Sequence, residues 1–256
     1  MRMGVAGIAG RMGRMLAAVV TESGFVLTGG TCLAGETPPD APIFPDIAAL
    51  AAASDAVIDF THASTAQDHA AALATAGCIW VLGTTGLSPA DQGAVNAAAD
   101  RIAVVQAANF APGVNLVLAL AERLGAALPA ADYDAEIVEM HHRQKVDAPS
   151  GTALALGRAL ATGRGVPFDS VRAAARDGNT GPRAAGEIGF AALRGGQIVG
   201  EHTLLLTAGD EQIALTHRAF DRASFARGAV RAAAWAAGKP PGLYTMMDVL
   251  GMKADR

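Results

Sequence analysis

The sequence predicts an α/β protein: a doubly wound parallel sheet, interrupted by an inserted α+β domain with an open mixed sheet. Three observations predict it. Short apolar runs alternate with alanine-rich stretches over roughly the first hundred residues, a glycine-broken turn directly follows the first run, and beyond residue 187 strand-like segments follow one another without long helices between them. With 256 residues, of which 51% are hydrophobic and 17% charged, the chain is not disordered and can bury a core without disulfides or metals.

Strands are expected over residues 3–6, 25–27, 56–60, 78–82 and 102–105, each short, apolar and bounded by Gly, Asp or Thr. Helices are expected between them over residues 11–21, 46–53, 64–76 and 89–99, with Ser88 as N-cap and Pro89 at the first helical position. Such alternation implies a parallel sheet covered on both faces. Beyond the loop 107–113, a helix over 114–127 leads to residues 133–140, whose alternating apolar residues predict a strand with one solvated face. A helix begins near Ser150, strands follow over 187–193, 197–206 and 212–217, and the chain closes with a helix over 223–237 and the segment 244–250. The expected organisation is a dinucleotide-binding domain over residues 1–111, completed by 222–256, and a second domain over 112–221.

Cys32 and Cys78 have neither CxxC spacing nor a histidine at metal-ligand spacing, so no metal or disulfide is expected and both read as small core residues. The N-terminal glycines and arginines interrupt any secretory apolar core, and no apolar run reaches the roughly 18 residues of a membrane span. A cytoplasmic protein with no membrane partner is the expectation. A balance of 20 Lys plus Arg against 24 Asp plus Glu, with 5% aromatics, argues against a nucleic-acid partner.

Two segments carry chemistry. Gly7-Ile8-Ala9-Gly10-Arg11-Met12-Gly13 follows the first strand and opens the first helix, where unobstructed N–H groups can hold a pyrophosphate. Ala9 stands where the usual pattern has its second glycine. The end of the second strand, residues 29–33, offers neither an acid for a ribose diol nor a base for a 2′-phosphate, and Glu36 follows three residues later. NADH and NADPH are therefore both left open. In the second segment, Glu139 to Thr152, His141, His142, Arg143 and Lys145 fall within five residues, a crowding that calls for an anion. The chain then turns into Ser150-Gly151-Thr152, a helix N-terminus. Together these describe a pocket for a small carboxylate, with His and Lys as acids; the plain alternative is a solvated basic turn before a capped helix.

The run EMHHRQKVDAPSGTA at Glu139 resembles the signature of the 4-hydroxy-tetrahydrodipicolinate reductase family of the diaminopimelate route to lysine. GIAGRMG at Gly7, DFTHAS at Asp59, GTTGL at Gly83, AANFAPGVN at Ala107, GEIGFAALRGGQIVGEH at Gly186 and GLYTMMDVL at Gly242 are similar to the same family in the same order. The resemblance implies a Rossmann-like first domain, and a second domain that binds a cyclic dicarboxylate and forms a homotetramer. It makes His141 the general acid or base and Lys145 the proton donor, with His142, Gly151 and Thr152 on the substrate. Gly7, Ile8, Ala9, Gly10, Arg11 and Met12 would lie on the pyrophosphate. Gly83, Thr84, Thr85, Ala107, Ala108, Asn109 and Phe110 would line the nicotinamide side. Cys32 stands where such proteins often carry an acidic ribose contact.

Other residues read more plainly. His62 and His69 are expected at the surface or as caps, Met12 and Met15 toward the core, and Trp80 and Trp235 as structural. His202 is expected either in the substrate cavity or in a structural hydrogen bond, while Arg222 and Lys239 are possible closing contacts on the cofactor. Two rival readings remain. The pairing of HHRQK with SGT argues against another semialdehyde or amino-acid dehydrogenase, and retention of His141 and Lys145 argues against a non-catalytic dinucleotide sensor.

Overall fold

Strands that are apolar at every position must be covered on both faces, and the first unit of the chain meets that demand with a single sheet. The computed structural model describes residues 1–173 and 176–252. The chain divides into two units, Met1–Pro112 with the segment from Ala223 onward, and Gly113–Arg222. The first contains β1 (Arg2–Ala6), α1 (Arg11–Glu22), β2 (Val26–Gly30), α2 (Ile47–Ala53), β3 (Ala56–Asp59), a 3₁₀ turn (Ala63–Thr65) leading into α3 (Ala66–Ala76), β4 (Ile79–Leu82), α4 (Pro89–Ala99) and β5 (Ala103–Gln106).

After α5 (Pro112–Ala127) the second unit adds β6 (Asp134–His141), α6 (Gly151–Gly163), α7 (Phe168–Val171), β7 (Ile188–Arg194), β8 (Gly200–Thr207) and β9 (Gln212–Ala219). The chain then returns to the first unit with α8 (Ala223–Ala236), β10 (Gly242–Tyr244) and α9 (Met246–Leu250).

All six strands of the first unit run parallel, in the order β10-β5-β4-β3-β1-β2. Alternate residues serve opposite cores. Val57, Trp80, Leu82 and Val104 pack with α2, α3 and α4, whereas Ile58, Val81 and Val105 pack with α1, α8 and α9. Ser88 caps α4 through a reciprocal box with Asp91, with Pro89 in the first turn.

The closing segment 244–250 is not one element. Gly242–Tyr244 forms β10, which pairs with β5 through Leu243 opposite Val104, and the helix starts only at Met246. Three residues behind Pro240 and Pro241 are too short to show a period, and only an edge position tolerates them.

In the second unit a four-stranded mixed sheet has the order β7-β6-β8-β9, with β6 parallel to β7 and antiparallel to β8. One face buries Ala135, Ile137, Leu204 and Leu206 against Val117 and Ala121 of α5 and Leu156 and Leu160 of α6. The other carries Val138, Met140, Thr203, Leu205 and Thr216, half-buried to exposed. No helix among the described residues is long and apolar enough to cross a membrane.

Candidate active site

From β1 the chain passes to β2 on one side and to β3 on the other, so the crevice of a doubly wound sheet opens at the C-terminal ends of β1 and β3. A cavity of about 720 Å³ lies there, walled by Gly7 and Gly10 after β1, Thr31, Cys32, Leu33 and Glu36 after β2, and Phe60, Thr61, His62 and His69 after β3. Gly13 lets α1 begin against the strand, since a Cβ would stand 2.2 Å from the Gly7 carbonyl oxygen. The Ile8 N–H donates to Thr31 (2.8 Å) and the Gly10 N–H to Gly7 (3.1 Å). The first-turn amides of Arg11, Met12 and Gly13 have no helical acceptor, and the N-cap Gly10 offers no side chain in their place. A pyrophosphate suits those amides, and the glycines leave room for it, so these residues fit a dinucleotide.

The remaining residues expected at the cofactor occupy varied places. Ile8 is buried in the core, Ala9 is half-buried with its carbonyl accepting from Arg14, Arg11 is exposed and Met12 packs against the core. The loops after β4 and β5 lie outside the cavity lining. Gly83 donates its N–H to the Asp59 carbonyl, Thr84 its hydroxyl to the Thr61 carbonyl, and Ala107 its N–H to Leu82. Thr85 and Ala108 are exposed, and Asn109 accepts from the Ala111 N–H. Phe110 is buried against Phe60 at 5.5 Å between ring centres, so any role of Ile8 or Phe110 toward a cofactor is confined to the main chain.

Two expectations are corrected here. Cys32 is half-buried in the cavity wall rather than in the core, while Cys78 is buried and its thiol is pushed up to about 12, chiefly by that burial. His69 is neither a surface residue nor a cap. It is buried, and its Nδ1 lies 2.7 Å from Asp59 Oδ2, whereas His62 does cap the 3₁₀ turn through Ser64. Lys239 stands over the Trp235 ring at 4.6 Å. Asp59, wholly buried at the end of β3, also accepts from Trp80 Nε1 (3.2 Å) and from the Thr61 N–H (3.0 Å) and hydroxyl (2.6 Å). Burial alone would raise this carboxyl, but the bonds from His69 and Thr61 hold it below the usual range.

In the second unit, strand parity builds the site. The inward column of β6 runs Ala135, Ile137, Glu139, His141, so the apolar core face turns polar at the strand's end. Glu139 Oε2 lies 2.6 Å from His141 Nδ1. The same carboxylate, 1% exposed, takes both terminal nitrogens of Arg194 on β7 (2.8 and 2.7 Å) and the Ser150 N–H (3.0 Å). His202, opposite Glu139 on β8, bonds Ser150 Oγ through Nε2 (3.0 Å) and meets the His141 ring edge-on at 5.0 Å. Burial pushes His202 down to about 4.

Ser150 caps α6 by accepting from the Ala153 N–H, which leaves the amides of Gly151 and Thr152 at the helix start for an anion. Gly151 is exposed and Thr152 half-buried. Lys145 pairs with Asp147 at 2.8 Å, and its charge opposes protonation of both His141 and His202. Arg222 Nη2 donates to His142 Nε2 at 3.4 Å. The roles of Glu139 and Arg194 went unread in the sequence, whereas His202 makes the structural hydrogen bond that was one of its two expected places, and Ser150 stands at the expected helix start. Glu139 had a signal, standing two residues before His141 on a strand, but Arg194 and His202 needed the register of neighbouring strands.

A glycine-opened cavity at the switch point of a doubly wound sheet, with an acid–histidine pair in a second sheet unit, defines an oxidoreductase that uses a dinucleotide. The family model for the dihydrodipicolinate reductase N-terminus matches residues 1–110, and that for its C-terminus matches residues 113–250. A 4-hydroxy-tetrahydrodipicolinate reductase from Granulibacter bethesdensis is 64% identical, over 98% of this chain and 97% of the relative, and one from Gluconacetobacter diazotrophicus is 61% identical over the same shares. A solved dipicolinate-bound dihydrodipicolinate reductase from a Paenisporosarcina species shares the fold, with a TM-score of 0.80 at 22% identity, covering 97% of this chain and 98% of that one. The chain belongs to the dihydrodipicolinate reductase family.

Proposed function

We propose that the chain reduces 4-hydroxy-tetrahydrodipicolinate, through its dehydrated cyclic imine, to tetrahydrodipicolinate. The observation that carries this reading is the convergence, at the end of β6, of the Glu139–His141 pair, the Lys145 ammonium and the open amides of Gly151 and Thr152. A bound nicotinamide would supply a hydride to ring C4. Gly151 and Thr152 hold one substrate carboxylate, and His142 contacts the substrate. Lys145 and His141 stabilise the charge that moves toward the ring nitrogen and deliver the proton that ends on C3. The amides of Arg11 to Gly13 hold the pyrophosphate. The test follows loss of reduced nicotinamide absorbance, with substrate generated in place from pyruvate and aspartate semialdehyde by the preceding synthase. Oxidation that needs both precursors is expected, and none from folded protein defeats the reading.

The cofactor proposed is NADH. Glu36 is held at the cavity wall by the Leu33 N–H at 2.9 Å, and the lining adds Asp46 and Asp68 but no Lys or Arg. A carboxylate accepts from a ribose diol and repels a 2′-phosphate. We expect kcat/KM to favour NADH over NADPH by at least about tenfold, equivalent to about 1.4 kcal/mol. Glu36→Arg should reverse the order, and an unchanged ratio would remove Glu36 from the role.

We further propose assembly through the uncovered sheet face, up to the tetramer that the resemblance implies. Val138, Met140 and Leu205 lie there among threonines, an apolar strip that a second copy would cover. Light scattering should give a multiple of 25.8 kDa that Val138→Lys reduces. A monomeric parent protein would end the proposal.

A further inference from the structure

His141 and Arg194 compete for one buried carboxylate. Glu139 is ionised, so it can only accept, and the hydrogen between its Oε2 and His141 Nδ1 belongs to the ring. The opposite nitrogen, Nε2, faces Gly200 on β8, where a Cβ would stand 3.1 Å away. Gly200 thus keeps that side of the ring open.

We infer that Glu139 is a positioning residue for His141 and that Arg194 is its counterweight. The carboxylate locks the imidazole as the Nδ1–H tautomer with Nε2 free to exchange a proton, and the guanidinium, bound to both oxygens of the same carboxylate, offsets the pull of Glu139 on the ring. The inference rests on the proposed role of His141 as the proton-transfer group.

The charged groups facing the ring pull in two directions. Glu139 on its own strand attracts a proton to it, while Arg194 on β7 and Lys145 on the following loop repel one. His202 on β8, itself kept neutral by burial, adds no charge, and Asp147 is occupied by Lys145. Burial, joined by the Lys145 and Arg194 charges, outweighs Glu139 and holds His141 below the usual histidine range. The same carboxylate takes the Ser150 N–H, so the histidine and the start of α6 are aligned by one group. A proton-exchanging nitrogen is thereby set at a fixed place relative to the amides of Gly151 and Thr152.

The two partners predict opposite changes, which a merely structural role would not produce. Nitrogen NMR of the full-length protein, titrated with pH, should show His141 with hydrogen on Nδ1 and none on Nε2. In Arg194→Gln the His141 midpoint should rise by about one pH unit or more, because the carboxylate's charge is no longer shared. In Glu139→Gln it should fall and the two tautomers should mix, with kcat lower by about 10²-fold and KM within about threefold. Unmoved midpoints, or shifts of the same sign, would overturn the inference. If Glu139→Gln does not fold, Arg194→Gln decides alone, since that guanidinium lies on the rim and an unmoved midpoint there is sufficient. Failure of the parent protein to oxidise either NADH or NADPH in the coupled assay would sink the proposed function and still leave the titration readable.

Discussion

Lys145→Ala lowers kcat by about 10²–10³-fold while the dinucleotide KM changes by less than about twofold, the pattern for loss of a proton donor acting on the reacting ring. The split follows from the placement of Lys145 in the loop after β6, within electrostatic reach of His141 and His202, whereas the glycine cavity is built from other elements of the chain. In the structure the ammonium is paired with the Asp147 carboxylate. Lys145→Met keeps most of the side-chain bulk and should lose as much activity as the alanine variant, because the charge is the working part. Steady-state rates with saturating NADH give the comparison, and near-normal turnover in either variant would remove Lys145 from the chemistry.

Asp59→Asn costs about 3 kcal/mol or more of stability at neutral pH, because the uncharged amide cannot serve His69, Trp80 and Thr61 together and leaves buried donors unsatisfied. The pH dependence has a definite sign. The folded-state value of Asp59 lies below its ordinary one, so its contribution is complete above the ordinary carboxylate range and drains away as pH falls through the depressed value. Urea midpoints should therefore decline less in acid for the variant than for the parent chain. Parallel declines would show that the ionisation of Asp59 is not linked to folding. The loss should also reach function, since Asp59 braces Thr61, which walls the cavity at the ends of β1 and β3, and weaker binding of the proposed dinucleotide is the expected companion.

The architecture was legible because its signals are local. Period and punctuation place β3, β4 and β5 to within a residue or two, and the α4 cap at Ser88 and Pro89 emerges as written. β10 escaped because three residues carry no period and its place is set by pairing with β5.

The same division runs through the site. His141, Lys145, Gly151 and Thr152 are announced by a dense run of cationic groups leading into a helix start, chemistry that is unusual enough in sequence to be noticed. What surrounds them is set by contacts across strands. His202 falls opposite Glu139 only through the β6–β8 register, and Arg194 reaches the same carboxylate from β7, more than fifty residues along the chain. His69, near a helix start, reads in sequence as a surface residue or a cap, yet a buried Asp59 draws it inward. The sequence by itself determined which groups are available and in what local setting, since helix starts, strand faces and glycine turns depend on neighbours a few residues apart. Only the tertiary structure decided which carboxylate each histidine answers to, because in a low-dielectric interior the pairing that sets charge and tautomer is a matter of distance in space.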